Sequence, residues 1–212
     1  MKKLFALLLV LSLLLTLSAC GGGPAEREKP VQKVLTPIEK FRNTVTEYGE
    51  TDDSGLTGIY LKAADLGLSD EEVILGGMFA ATMTDTTNWI SSTLVDPNNP
   101  DFSIYLALIL KENSGAGCTY ALSIEHGGNT YEMSGSFTAS DLLDADTFPY
   151  MDCSDASYGM LSVLRTTAHN MVCDVLIMFD AFLTKYGCGS LSDFRFDPAT
   201  VRRVIARERA RE

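Results

Sequence analysis

His169 and Cys173 stand four residues apart, a spacing that puts both on one face of a helix, where a pair of transition-metal ligands can sit. Two ligands do not close a site, so Cys118, His126 or an aspartate would have to complete the set. The competing reading is a helix face packed against a core. A second cluster is carboxylate: Asp141, Asp144, Asp146, Asp152 and Asp155 fall in one acidic stretch that could hold a hard cation such as calcium. The EF-hand spacing, with its glycine and terminal glutamate, is missing, and a solvated acidic loop accounts for the same residues. His126, beside Gly127 and Gly128, reads as a turn residue. No residue is assigned a catalytic role, and no cofactor is called for.

Several enzyme classes lose their short-motif support. HExxH, CxxC, GxSxG, SxxK and the P-loop pattern are all missing from the sequence. With two histidines in 212 residues, general-base chemistry at neutral pH would fall mainly to carboxylates, which are abundant but unmarked. Beyond Cys20 the chain carries Cys118, Cys153, Cys173 and Cys188. If residues 157–186 form one helix of about 45 Å, cysteines before, within and after it cannot reach one another within the ~7 Å Cα separation that a disulfide tolerates. At most one disulfide is expected, through Cys118, and four buried free thiols are the alternative.

The elements that must position these residues can be read from periodicity and punctuation. Thr36-Pro37-Ile38-Glu39 combines an N-cap, a first-turn proline and a capping box, and Ile38, Phe41, Val45 and Tyr48 then form an apolar stripe ended by Gly49 in the left-handed conformation. Residues 50–56 read as a loop and Gly58 to Ala63 as a short strand. Ser69-Asp70-Glu71-Glu72 is a second capping box, predicting a helix through Val73, Ile74, Met78 and Ala81, although Gly76-Gly77 weakens it. Thr84 to Val95 favours a strand by its β-branched content, with a continued helix as the alternative.

Alternation is clearest from Phe102 to Lys111, in Cys118–Glu125 and in Thr130–Thr138, the last two joined by His126-Gly127-Gly128-Asn129. Short connections make these three strands an antiparallel meander. From Tyr158 to near Gly187 apolar residues recur at helical spacing, while Arg165, His169, Asp174, Asp180 and Lys185 interrupt them too often for a membrane span. Leu191 to Phe196 reads as a short extended segment, and Asp197-Pro198 opens a final helix to about Ala210. The fold class is therefore α+β: an antiparallel sheet of about four to five strands packed against one long C-terminal helix, with shorter flanking helices.

Charge narrows the partners. Between Glu50 and Asp197 there are 22 acidic and five basic residues, a net of −17, which repels phosphate backbones and argues against nucleic acid. Residues 201–212 oppose this, with five arginines against two glutamates. That basic tail could contact anionic lipid or wall polymer, or lie against the acidic body.

The N-terminus supplies the most specific signal. Met1-Lys2-Lys3 precedes an apolar run from Leu4 to Leu17, about fourteen residues, which as a helix covers roughly 21 Å of the ~30 Å hydrocarbon core. This is the pattern of an export leader rather than of a spanning helix. Leu17-Ser18-Ala19-Cys20, followed by three glycines, resembles the lipobox of bacterial lipoproteins. The resemblance covers about the first twenty residues. It implies cleavage after residue 19, a thioether-linked diacylglycerol on Cys20, and two acyl chains that together give stable anchoring.

The remaining chain, without Lys2 and Lys3, has 15 basic and 28 acidic residues, net −13. Residues 20–35 read as a flexible tether and 36–212 as one domain, held at the extracytoplasmic face of a membrane. The functional expectation is a noncatalytic module binding a protein, peptide or envelope component. The alternatives are an envelope hydrolase working through carboxylates, and a cation or ligand sensor built on Asp144, Asp146 and Asp152.

Overall fold

The computed structural model describes residues 33–96, 98–99, 101–111, 118–143 and 158–210. Its first element, α1 (Pro37–Tyr48), opens where the sequence places it. Thr36 Oγ1 accepts from the Glu39 amide at 3.2 Å, and the Glu39 carboxylate accepts from the Thr36 amide at 2.9 Å. Gly49, however, is extended (φ −92°) rather than left-handed. The glycine is needed for room: a Cβ there would lie 2.4 Å from the Val45 carbonyl oxygen.

Seven strands come after it, more than the four to five expected: β1 (Glu50–Thr51), β2 (Thr57–Lys62), β3 (Met78–Met83), β4 (Asn88–Val95), β5 (Phe102–Leu110), β6 (Cys118–His126) and β7 (Asn129–Phe137). They form one antiparallel sheet in chain order, each strand hydrogen-bonded to its sequence neighbours. Two of the additional strands come from segments read differently in the sequence. Glu50–Thr51, placed in a loop, pairs with Thr57–Gly58.

Met78–Met83, placed in a helix, is a strand between β2 and β4. The capping turn at Ser69 does form, but the helix does not continue, because Gly76 (φ 68°) and Gly77 (φ 118°) carry the backbone into conformations no helix uses. Gly77 also lies against β4, where a Cβ would be 2.6 Å from the Thr93 carbonyl oxygen.

The two faces of the sheet differ in chemistry. On the inner face the register aligns Ile59, Ala81, Ile90, Leu108 and Tyr120, and in a second row Phe79, Ser92, Leu106, Leu122 and Met133. All ten are buried. The outer face presents Tyr60, Ala80, Ser91, Ala107, Ala121 and Ser134 in one row. Tyr60, Met78, Val95 and Tyr105 on that face are exposed.

The long helix α2 (Tyr158–Tyr186) packs on β4 and β5, and α3 (Pro198–Arg209) packs on α2. Residues Met171 to Phe179 are buried on every side of α2, as in a helix enclosed by its surroundings. One aromatic cluster joins four elements: Phe41 of α1 lies 6.2 Å from both Phe179 and Phe182 of α2, Phe182 lies 5.6 Å from Phe79 of β3, and Phe179 lies 5.0 Å from Phe194. Burying each such side chain contributes about 1.5–3 kcal/mol.

Phe194 belongs to a 3-10 turn, Leu191–Phe194, where an extended segment was expected. The carboxylate of Asp193 accepts from the Ser190 amide at 2.8 Å and winds the chain locally, and Arg195 comes next at φ 66°. Among the described residues no helix is long and apolar enough to cross a membrane.

Candidate functional site

Cys20, Asp144, Asp146 and Asp152, with Asp155 and Cys153, lie outside the described residues. Asp141 is described, and its carboxylate accepts from the Thr138 amide and hydroxyl, closing a turn. His169 and Cys173 share one side of α2 and are both fully buried. The Nε2 of His169 is 3.1 Å from the Leu142 carbonyl oxygen, and because a carbonyl can only accept, this nitrogen carries the proton. Burial lowers the His169 pKa, opposed by that backbone hydrogen bond, and favours the neutral ring.

Burial, then the neighbouring Asp174, pushes the Cys173 thiol far above its ordinary range. Burial pushes Cys118 up to about 12 against the charge of Lys111, and burial also raises Cys188. These three are free thiols. A nucleophile or metal ligand must be a thiolate, which these surroundings oppose. Among the described residues no three His, Cys, Asp or Glu side chains are grouped as metal ligands.

A cleft of about 230 Å³ lies elsewhere, between the turn after Leu66 and the last helix. Its first wall begins at the second capping box. Glu72 Oε2 accepts from the Ser69 amide at 2.9 Å and from the Ser69 hydroxyl at 3.2 Å. Those bonds, the amide's first, hold the Glu72 carboxyl below its ordinary pKa, with smaller contributions from the charges of Arg202 and Arg209.

Beyond Glu72 the chain is fastened from beneath. The amides of Ile74 and Leu75 donate to the two oxygens of Asp174 at 2.7 and 2.6 Å. Asp174 sits in the middle of α2 and is fully buried, and burial raises its pKa to about 6 against the pull of the amides of Ile74, Leu75 and Gly76 and of the Arg209 charge. An anion suits this position because several backbone donors converge on it.

The second wall is α3. The Asp197 carboxylate accepts from the Ala199 and Thr200 amides at 3.1 and 3.2 Å, so the helix starts at Pro198 as read from the sequence. Val201, Val204 and Ile205 are buried. Arg202 and Arg209, seven residues and about two turns apart, both line the cleft. Arg202 pairs with Asp180 at 3.1 Å. The Nη2 of Arg209 is enclosed and has no hydrogen-bond partner among the described residues.

Glu71 and Glu72 line the cleft from the turn, and Leu68, Ile177 and Ile205 supply its apolar surface. The cleft thus sets carboxylates on one wall and guanidinium groups on the other, with hydrocarbon between them. The paired acids belong to the same wall. Sequence reading registered the Ser69–Glu72 box and the arginines of the tail separately. Nothing in the local pattern says that residues about 130 positions apart form one cleft.

Comparison with protein-family models, with curated proteins and with solved structures found no match.

Proposed function

We propose that this chain is an extracytoplasmic lipoprotein, anchored to a membrane through diacylglycerol on Cys20, whose folded part is a noncatalytic binding module. The observation that carries the reading is the run Leu17-Ser18-Ala19-Cys20 placed directly after the apolar stretch Leu4–Leu17. Two acyl chains give an anchor that one chain does not, at about 0.8 kcal/mol per buried methylene. The acidic body between Glu50 and Asp197 favours a partner other than nucleic acid.

For the folded part, support comes from the cleft between the Ser69–Glu72 turn and α3, which offers complementary charges and hydrocarbon but no ionised thiol. The hydrolase alternative needs two acids facing each other across a cleft, whereas Glu71 and Glu72 share a wall opposite two arginines.

Mass analysis of the N-terminal peptide from the native protein tests the address. A diacylated Cys20, and transfer of a Cys20→Ala variant from the membrane to the soluble fraction, are the expected results. An unmodified cysteine or an uncleaved leader would sink the anchored reading. Crosslinking in intact cells, with identification of the molecules recovered, tests the binding role.

A further inference from the structure

We infer that the cleft between the Ser69–Glu72 turn and α3 binds a free α-amino acid with an apolar side chain. Its carboxylate would meet Arg209, its ammonium Glu72, and its side chain Ile177 and Ile205. The inference rests on the reading of the folded part as a binding module and names the ligand class for it.

Three observations carry it. The Arg209 Nη2 is desolvated without a hydrogen-bond partner among the described residues, although a guanidinium N–H shut away from water calls for an acceptor. Arg202, the other cation of the cleft, is paired through Nη2 with Asp180, whereas Arg209 has no ion-pair partner among the described residues, which leaves its charge for an incoming carboxylate.

Second, opposite charges are held apart. Glu72 feels both arginines, yet no ion pair joins them, and among the described residues only its Oε2 is engaged, by Ser69. A ligand carrying both signs on neighbouring atoms satisfies both walls at once. A dianion would be repelled by Glu71 and Glu72, and a simple cation would leave Arg209 unanswered.

Third, the space is small and its floor is hydrocarbon. About 230 Å³ equals roughly eight water volumes, the scale of one amino acid rather than of a nucleotide or an oligosaccharide. Leu68, Ile177 and Ile205 favour an aliphatic or aromatic side chain and give nothing to a polar one.

The test is titration calorimetry of the detergent-solubilised full-length chain with L-leucine, alongside leucinamide, 4-methylpentanoate and glycine, which lack the carboxylate, the ammonium and the side chain respectively. Leucine is expected to bind at a single saturable site, and each analogue at least about tenfold more weakly. Arg209→Met and Glu72→Gln should each weaken leucine by a similar factor with an unchanged far-ultraviolet circular dichroism spectrum. Glutamine still accepts from Ser69, so Glu72→Gln decides the matter if the arginine variant fails to fold.

The inference is overturned if leucine, valine, methionine and phenylalanine all give no binding heat at millimolar concentration, if 4-methylpentanoate binds as well as leucine, or if Glu72→Gln binds leucine unchanged. A crosslinked envelope partner recovered alongside such a result would overturn the ligand class and leave the binding-module reading standing.

Discussion

Asp174 and His169 lie five residues apart on α2, both fully buried, and each fastens a different connecting segment to the same helix. Asp174 takes the segment before β3 by accepting from two of its amides, whereas His169 takes the segment after β7 by donating to the Leu142 carbonyl. Backbone donors are best met by an anion and a backbone acceptor by a neutral N–H, so the two anchors need opposite protonation chemistry in the same core. Burial works against charge at both, raising the acid and lowering the base, and the backbone partner of each opposes that shift: the amides pull Asp174 down and the Leu142 carbonyl pulls His169 up. The lesson is that a buried ionisable group is explained by the backbone it faces.

Removing the acid should break the comparison most severely. Asp174→Ala leaves two buried amides unanswered and is expected to cost about 3 kcal/mol, a melting-temperature drop of roughly 6–12 °C by calorimetry, with Asp174→Asn losing about half as much. His169→Leu orphans one carbonyl and should cost about 1–2 kcal/mol in the same measurement. Equal losses from the two positions would mean that packing, not hydrogen bonding, fixes both segments.

Acid titration sharpens the contrast. The raised Asp174 pKa means that the folded state binds a proton more readily than the unfolded chain, so its contribution to stability falls as pH rises from about 4 to about 6. The lowered His169 pKa acts in reverse: its contribution falls as pH drops below about 6.5. In denaturant melts between pH 4 and 7, the difference between wild type and Asp174→Asn should therefore widen in favour of wild type on acidification. The difference between wild type and His169→Leu should narrow.

The smallest effect belongs to Asp180, six residues beyond Asp174 on α2 and paired with the exposed Arg202. Asp180→Asn is expected to change stability by less than about 1 kcal/mol in a urea melt, falling further with added salt.

Legibility in the sequence tracked the range of the interactions. Thr36–Glu39 and Asp197–Pro198 announce helix starts because a cap is made by residues three apart, and both form as read. The strands β5 to β7 announce themselves because one face is apolar and the turns are short. Ser69–Glu72 carries the same local signature but closes only half of the box: the Glu72 carboxylate accepts from the Ser69 amide and hydroxyl, while the Glu72 amide donates to the Ser69 carbonyl. The path of the chain beyond it is decided instead by the backbone of Gly76 and Gly77 and by pairing with β2 and β4.

The site was less legible than the fold. Asp174 read as a polar interruption of a helix, because the amides it serves lie a hundred residues earlier. Arg209 read as one charge among five in a basic tail. Its enclosure depends on a turn that no periodicity connects to it.

The strict chain order of the sheet bears on how the molecule is made. Each strand pairs with the one before it, so apart from residues 63–77 between β2 and β3 the loops closed during assembly are short and the associated entropy loss is small. The long helix that packs on the inner rows follows in the chain only after all seven strands have left the ribosome. Until then a broad oily surface stands open to other chains, and truncation before Tyr158 should yield an aggregating product rather than a smaller soluble one.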